Sequence, residues 1–199
     1  MKIINNLNIQ KTIDGLINKY FLWFIPYSVK PNHVTVIRFI LIPIIYLFLI
    51  LDKLDVALVI FIIAASTDFI DGAMARTRNQ ITDLGKVIDP IADKLLIMSV
   101  LLYVGFNYLI VQIFVVFIIL ELIAILVGAL FHSVIGRPIG ANIYGKIKMI
   151  LQSFSVGLFI LGIFINNNFM VNISKEILFL ALIFAVMSGV AQIRARIKK

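Results

Sequence analysis

Long apolar stretches run through this chain and decide what it can fold into. A helix needs roughly 20 mostly apolar residues to cross a bilayer, with about 17 as the lower bound. The stretches that reach or approach this length are Thr35–Leu51, Val56–Ala75, Gly85–Gly105, Leu109–Phe131, Lys148–Ile165 and Ile177–Ile193. Hydrophobic residues make up 62% of the chain, whereas a soluble domain is usually about half apolar. The sequence therefore predicts an all-α integral membrane protein with six transmembrane helices.

Basic residues are distributed unevenly between the two sides of these predicted spans. The loops 52–55, 106–108 and 166–176 contain two cations, Lys53 and Lys175, and the other cations lie on the opposite side. Cytoplasmic segments of membrane proteins carry the excess of Lys and Arg. We therefore expect a multi-pass protein of the plasma (inner) membrane with both termini in the cytoplasm. The net charge of +8 follows this pattern and does not predict nucleic-acid binding.

Residues 1–30 differ in pattern from the predicted six-helix part, residues 31–199. Apolar residues between positions 9 and 24 recur at helical spacing, opposite a set of polar residues. A helix with one apolar and one polar face lies in the membrane interface rather than across the bilayer. We expect an N-terminal interfacial amphipathic helix here, and a loose tail is the alternative.

Four aspartates lie within or at the ends of the second and third predicted spans. Asp68 and Asp71 are three residues apart and Asp89 and Asp93 are four apart, so each pair shares one face of its helix. The short loop 77–84 makes the two spans a hairpin, so that both pairs converge near its cytoplasmic end. A charged side chain at mid-bilayer costs about 2.5–3.5 kcal/mol on the translocon scale, and something must offset that cost.

Converging carboxylates are the ligands that a hard divalent cation such as Mg²⁺ or Mn²⁺ prefers. The chain has no cysteine, and no histidine stands near enough to the aspartates to suggest zinc. The alternative is a set of structural ion pairs with the neighbouring cations Arg76, Arg78, Lys86 and Lys94. Because acids inside a membrane are by default functional, the sequence predicts a metal site on the four aspartates.

The aspartates belong to a longer pattern with fixed gaps, D-x2-D-G-x2-A-R-x8-G-x3-D-x3-D. Its fixed positions are Asp68, Asp71, Gly72, Ala75, Arg76, Gly85, Asp89 and Asp93. This pattern resembles the signature of the CDP-alcohol phosphatidyltransferase family at every fixed position, and the predicted helices resemble that family's architecture over nearly the whole chain. The resemblance implies an enzyme that transfers a phosphatidyl group from CDP-diacylglycerol to an alcohol and releases CMP. It also implies a homodimer.

The resemblance assigns roles to residues at the matching positions. Asp68, Asp71 and Asp89 would hold Mg²⁺ (or Mn²⁺), with two ions per active site, and Asp93 would contact metal and act as the general base. The residues assigned to the CDP pocket are Gly72, Ala75, Arg76 and Gly85. The upstream stretch PNHVTVIR resembles the family's P-N-x-x-T-x-x-R element. It adds to the phosphate-binding region Pro31, Asn32, Thr35 and Arg38.

The region 137–152 carries basic residues that predict an acceptor with a phosphate group. Cations beside an anionic donor form an anion pocket, although ordinary membrane topology also explains cations here. The segment YGKIK resembles the G-K-x-K element of the family's glycerol-phosphate branch, with Met149 where that branch usually has Thr and Leu120 where it usually has Arg. The acceptor-phosphate residues predicted from this region and the upstream element are Arg38, Arg137, Lys146 and Lys148. Glycerol 3-phosphate is the first choice of acceptor, inositol phosphate the second and phosphatidylglycerol, a cardiolipin-synthase reaction, the third.

Glu121 lies in the middle of an otherwise apolar span, and its role stays open. It could position the acceptor, pair with a lysine of the fifth span, or be a neutral buried acid. A divalent-metal transporter is the alternative from a different class, but its acids would be expected along a pathway that reaches both membrane faces. Clustering of the aspartates at one side favours the enzyme.

Overall fold

The computed structural model describes residues 26, 29–78, 80, 82, 85–105, 108–130 and 143–197, without the side chains of 68, 69, 76, 86, 128–130, 192, 193 and 195–197. These residues form the helices α1 (Pro31–Ile50), α2 (Leu54–Thr77), α3 (Gly85–Gly105), α4 (Leu109–Leu130), α5 (Ile143–Phe164) and α6 (Asn168–Ile197). The predicted all-α fold is confirmed. The predicted amphipathic helix of residues 1–30 lies almost entirely outside the described residues.

Five of the helices are long and apolar enough to cross a membrane, and they are α1, α2, α4, α5 and α6. This identifies a multi-pass membrane protein. The helix α3 has 21 residues, a length similar to that of α1, but it carries Asp89, Asp93 and Lys94. It contacts α1, α2, α4 and α5, and the side chains of Asp93 and Lys94 are only 17% and 14% exposed. The count of six spans stays a prediction.

The turn between α5 and α6 is shorter than the sequence predicted. The predicted loop 166–176 is wrong, because α6 begins at Asn168. Asn167 caps this helix: its Oδ1 accepts hydrogen bonds from the backbone N–H groups of Phe169, at 3.0 Å, and Met170, at 3.2 Å. The preceding Asn166 has a φ of 53°, in the left-handed region that asparagine tolerates better than most residues. Two consecutive asparagines therefore build a tight turn where the sequence suggested a loop.

Small residues let α5 and α6 approach closely along their length. A Cβ added to Gly162 would lie 3.0 Å from the backbone nitrogen of Val171, so a larger residue would push the helices apart. Further along the pair, the Ser155 hydroxyl donates a 2.6 Å hydrogen bond to the carbonyl oxygen of Ser174. Close approach through small residues and interhelical hydrogen bonds is typical of helix packing in membranes.

All six helices contribute side chains to the apolar core, and its buried residues include Leu49, Phe61, Val100 and Phe159. Large apolar side chains also cover the outside of the bundle, as Leu120 on α4 and Phe154 on α5 show. Such an apolar exterior suits a lipid environment. Because the bilayer core offers no water, polar side chains that point inward have to find partners within the bundle.

Candidate active site

One end of the bundle, which we call the aspartate end, is where α1 begins, α2 ends and α3 begins. The Thr35 hydroxyl of α1 donates a 2.7 Å hydrogen bond to Oδ1 of Asp89 on α3. Arg78, just beyond α2, donates from Nη1 to the carbonyl oxygens of Val29, at 3.3 Å, and Pro26, at 3.2 Å. The three helix ends are therefore held together by polar contacts.

Arg38 of α1 lies fully buried between the two aspartate-bearing helices. Its Nη2 donates a 2.7 Å hydrogen bond to Oδ2 of Asp71 on α2, and its Nη1 donates to Oδ1 of Asp93 on α3. Its Nε lies 3.3 Å from the Thr67 hydroxyl oxygen. A cation that offsets Asp71 and Asp93 is thus supplied by α1, and it was not among the ion-pair partners that the sequence suggested.

Gly85, the first residue of α3, lies in a cradle of oxygen atoms. Its N–H donates to the Thr82 hydroxyl oxygen at 3.0 Å, and that hydroxyl donates to Oδ1 of Asn32 at 3.1 Å. A Cβ at this position would lie 3.0 Å from the Thr82 oxygen, 3.1 Å from Asn32 Oδ1 and 3.6 Å from Asp89 Oδ2. Glycine is therefore the residue that lets these oxygen atoms converge.

A second buried charge cluster joins α3, α4 and α5. Glu121 of α4 contacts Lys94 of α3 through Oε2, at 2.9 Å, and Lys148 of α5 through Oε1. The sequence left three roles open for Glu121. The structure shows one of them, a pairing with a lysine of the fifth span. Two ammonium groups around one carboxylate leave a single positive charge. Because Lys94 directly follows Asp93 in α3, this cluster lies next to the aspartate end.

Of the residues predicted for the donor site, Asn32, Thr35 and Gly85 are linked through contacts with Thr82 and Asp89. Pro31 and Thr35 are buried at the start of α1, and Gly72 and Ala75 are half-buried on α2. Lys148 points into the bundle, whereas Lys146, two residues earlier, is exposed. The side chains of Asp68 and Arg76, and all of Arg137, lie outside the described residues.

Sequence reasoning missed several residues that shape this end. Thr67 contacts Arg38, and Thr82 connects Gly85 with Asn32. Thr82 could have been found from the sequence, because it stands three residues before Gly85. A hydroxyl in such a position can accept a hydrogen bond from the N–H at the start of a helix. Lys94 was one of the cations in the alternative of structural ion pairs with the aspartates, but its observed partner is Glu121.

The chemistry of the aspartate end fits a hard divalent cation. The ligand atoms offered by Asp71, Asp89, Asp93, Asn32 and Thr82 are all oxygen, which is the donor type that Mg²⁺ and Mn²⁺ prefer. Within the described part of the chain, which omits the Asp68 side chain, no three acidic or histidine side chains already form a group that could hold an ion. Metal binding at the four aspartates therefore stays a proposal.

Comparison with known proteins decides the family. The sequence model of the CDP-alcohol phosphatidyltransferase family matches residues 28–189, a range that contains every helix described above except the last residues of α6. The chain belongs to the CDP-alcohol phosphatidyltransferase family. It is therefore a transferase of a lipid-synthesising family, and the alternative of a divalent-metal transporter loses its support.

The chain is also similar to individual members of this family. It is 32% identical, over 171 residues that cover 83% of this chain and 93% of the relative, to the CDP-diacylglycerol--glycerol-3-phosphate 3-phosphatidyltransferase of Rickettsia felis. It is 33% identical over 146 residues, 66% of this chain and 76% of the relative, to the enzyme of the same name from Bacillus subtilis. A shorter match of 79 residues, 39% identical and covering 39% of this chain and 26% of the relative, is to human cardiolipin synthase (CMP-forming).

Proposed function

We propose that this protein transfers the phosphatidyl group of CDP-diacylglycerol to glycerol 3-phosphate and releases CMP. The observation that carries the proposal is the contact of Thr35 and Arg38 with three of the four signature aspartates. These contacts join the upstream element and the aspartate motif into one polar centre. The relatives named for glycerol-3-phosphate transfer, which match over most of their length, support this choice of acceptor.

The reaction exchanges one phosphorus–oxygen bond for another. The acceptor's hydroxyl oxygen attacks the phosphorus atom that carries diacylglycerol, and the bond from that phosphorus to the CMP oxygen breaks. An alcohol at neutral pH needs a base within hydrogen-bond reach, and Asp93 takes the proton in this proposal. The contact of Arg38 with Oδ1 of Asp93 holds the carboxylate in a fixed orientation.

The proposed metal ligands are Asp68, Asp71, Asp89 and Asp93, and the proposed cofactor is Mg²⁺ or Mn²⁺, with two ions per active site. When bound, the metal would neutralise the charge of the diphosphate and of the departing CMP. The hydrogen bond from the Thr35 hydroxyl fixes the orientation of Asp89, one of the residues that would hold the metal. The donor site proposed around it comprises Pro31, Asn32, Thr35, Gly72, Ala75, Arg76 and Gly85.

Lys148 is the acceptor-site residue with the strongest structural support. Its ammonium group is buried beside Glu121 and Lys94, where one positive charge remains for an incoming anion. A phosphate group binds ammonium groups through charge-assisted hydrogen bonds, which are stronger than neutral ones. Arg137 and Lys146 remain proposed contacts of the acceptor phosphate. Full burial of Arg38 between two aspartates favours a different role for that residue.

A second candidate acceptor is phosphatidylglycerol. The similarity to a cardiolipin synthase over 79 residues favours it, whereas the buried positive charge at Lys148 favours a small phosphorylated alcohol, glycerol 3-phosphate or inositol phosphate. We further propose that six helices span the plasma (inner) membrane as a homodimer, with the aspartate end and both termini in the cytoplasm. The uneven distribution of basic residues supports this orientation.

The test is CMP release by the purified protein in detergent with CDP-diacylglycerol and Mg²⁺. The acceptor panel is glycerol 3-phosphate, inositol phosphate, inositol, serine and phosphatidylglycerol. We expect release with glycerol 3-phosphate, abolished by EDTA and by Asp89→Asn. CMP release with phosphatidylglycerol alone would identify that lipid, and not glycerol 3-phosphate, as the acceptor. CMP release that persists in EDTA would show that the reaction does not need the proposed metal.

A further inference from the structure

The Arg38 guanidinium is held from three directions inside the bundle. Two nitrogens contact Asp71 and Asp93, on α2 and α3. The third, Nε, lies 3.3 Å from the Thr67 hydroxyl oxygen. That hydroxyl donates its own hydrogen to the carbonyl oxygen of Ala64 at 2.6 Å, so its lone pairs are left to accept from Arg38. The side chain is fully buried and its orientation is fixed.

An arginine in this position is a permanent positive charge. The guanidinium group does not lose its proton in proteins, and its rigid fork binds two carboxylates without rearranging. Each carboxylate uses one oxygen for this contact, Oδ2 in Asp71 and Oδ1 in Asp93. Because a carboxylate has about four lone-pair sites, the contact with Arg38 does not by itself saturate either side chain.

We propose that Arg38 is a positioning residue that holds Asp71 and Asp93 in place before a divalent ion binds. The inference rests on the metal site proposed above. Without an internal cation, the charged aspartates of α2 and α3 would repel each other inside the bundle until metal arrived. Arg38 ties α1, α2 and α3 together in the metal-free protein and preserves the ligand geometry. It acts through the aspartates, in place of the acceptor-phosphate contact that its motif suggested.

A positioning role for Arg38 can be distinguished from a purely space-filling one by how the stability of a variant responds to Mg²⁺. If Arg38 is replaced by a neutral residue, Asp71 and Asp93 lose a compensating charge, and the metal-free protein becomes less stable. A divalent ion then supplies part of the missing charge. The stabilisation that Mg²⁺ gives should therefore be larger in the variant than in the wild type, because ligand binding to the folded state raises its stability.

The experiment measures thermal unfolding of the purified protein in detergent, in EDTA and over a series of Mg²⁺ concentrations. We compare the wild type with Arg38→Gln and with Arg194→Gln, which removes an exposed arginine near the end of α6. We expect Arg38→Gln to lower the Tm in EDTA by about 5 °C or more and Mg²⁺ to recover part of that loss. Arg194→Gln should match the wild type in both conditions.

Two results would overturn the inference: a wild-type Tm for Arg38→Gln in EDTA, or a loss that Mg²⁺ leaves unchanged. If Arg38→Gln does not fold in EDTA, the double variant Arg38→Gln/Asp71→Asn decides. Removing one of the two repelling carboxylates should restore folding, and failure to restore it counts against the proposed role. If the Tm of the wild type does not respond to Mg²⁺, the metal proposal fails. Recovery of folding in the double variant would still test whether Arg38 compensates the charge of the aspartates.

Discussion

Thr35 and Asp89 lie 54 residues apart in the chain and are joined by a 2.7 Å hydrogen bond between the Thr35 hydroxyl and Oδ1 of Asp89. Thr35 is buried, with 1% of its surface exposed, so water does not compete for the contact. The bond fixes the side chain of a signature aspartate from a helix outside the aspartate motif. The threonine of the upstream element thereby acts on the same centre as the aspartates.

Replacing Thr35 with valine keeps the shape of the side chain and removes the donor. A hydrogen bond to a charged group contributes about 1.5–3 kcal/mol, so we expect Thr35→Val to lower the rate of CMP release about tenfold or more. Thr35→Ser retains the hydroxyl and should stay within about threefold of the wild type. Equal rates for the valine and serine variants would show that the bond does not matter to catalysis.

The sequence predicted the aspartate hairpin because its features are local. Spacings of three and four residues place each pair on one helix face, and a short loop returns the chain beside itself. Gly85 as the first residue of α3 was also predicted. Such features depend on helix geometry alone, so no knowledge of the remaining helices was needed.

Partners of the buried cations could not be predicted in the same way. Apolar residues lie on every side of α1 even though it carries Arg38, so hydrophobic periodicity does not show which face meets the protein. The inward direction of Arg38 therefore became visible only with α2 and α3 in place. The short loop 106–108 makes α3 and α4 neighbours, but the faces that they turn towards each other, and hence the contact of Lys94 with Glu121, are not specified by a helix as apolar as α4.

Lys148 and Lys146 form a matched pair for testing the acceptor site. They are two residues apart on α5, yet the side chain of Lys148 is 9% exposed and contacts Glu121, whereas Lys146 is exposed. We expect Lys148→Met to raise the KM for glycerol 3-phosphate about tenfold or more, because a buried charge-assisted contact is lost. The KM for CDP-diacylglycerol should change little. Lys146→Met should alter both values less than about threefold, because a contact made by an exposed ammonium group contributes little, and equal effects of the two substitutions would contradict the assignment.

Glu121 is expected to stabilise the fold by compensating two lysines. Glu121→Gln leaves the ammonium groups of Lys94 and Lys148 without a carboxylate, at 14% and 9% exposure. Uncompensated buried charge is strongly destabilising, and we expect a loss of about 3 kcal/mol in unfolding free energy. Glu176→Gln, an exposed glutamate on α6, is the control and should change stability by less than about 0.5 kcal/mol. Partial recovery in Lys94→Met/Glu121→Gln would confirm that charge is the cause, and no recovery would point to packing.

Two helical glycines distinguish a crowded position from an open one. A Cβ at Gly85 would press on Thr82 and Asn32, whereas a Cβ at Gly189 on α6 meets nothing within 4 Å. Overpacking of this kind costs about 1–3 kcal/mol, so we expect Gly85→Ala to raise the KM for CDP-diacylglycerol about fivefold or more. Gly189→Ala should leave activity unchanged and increase stability slightly, since alanine is the better helix former. A normal donor KM in Gly85→Ala would show that the cradle adjusts without cost.

Asp93→Asn tests the proposed base with the least change in shape. The asparagine keeps an oxygen that can accept from Arg38 Nη1 but cannot take the acceptor's proton. General base catalysis contributes about 10²–10⁴-fold, so we expect turnover to fall by at least about 100-fold. Binding of CDP-diacylglycerol, measured directly by titration, should remain within about tenfold of the wild type, because the other aspartates and the glycine cradle are intact. Near-normal turnover would assign the proton to another group, and loss of both turnover and donor binding would assign Asp93 to the metal and donor site instead.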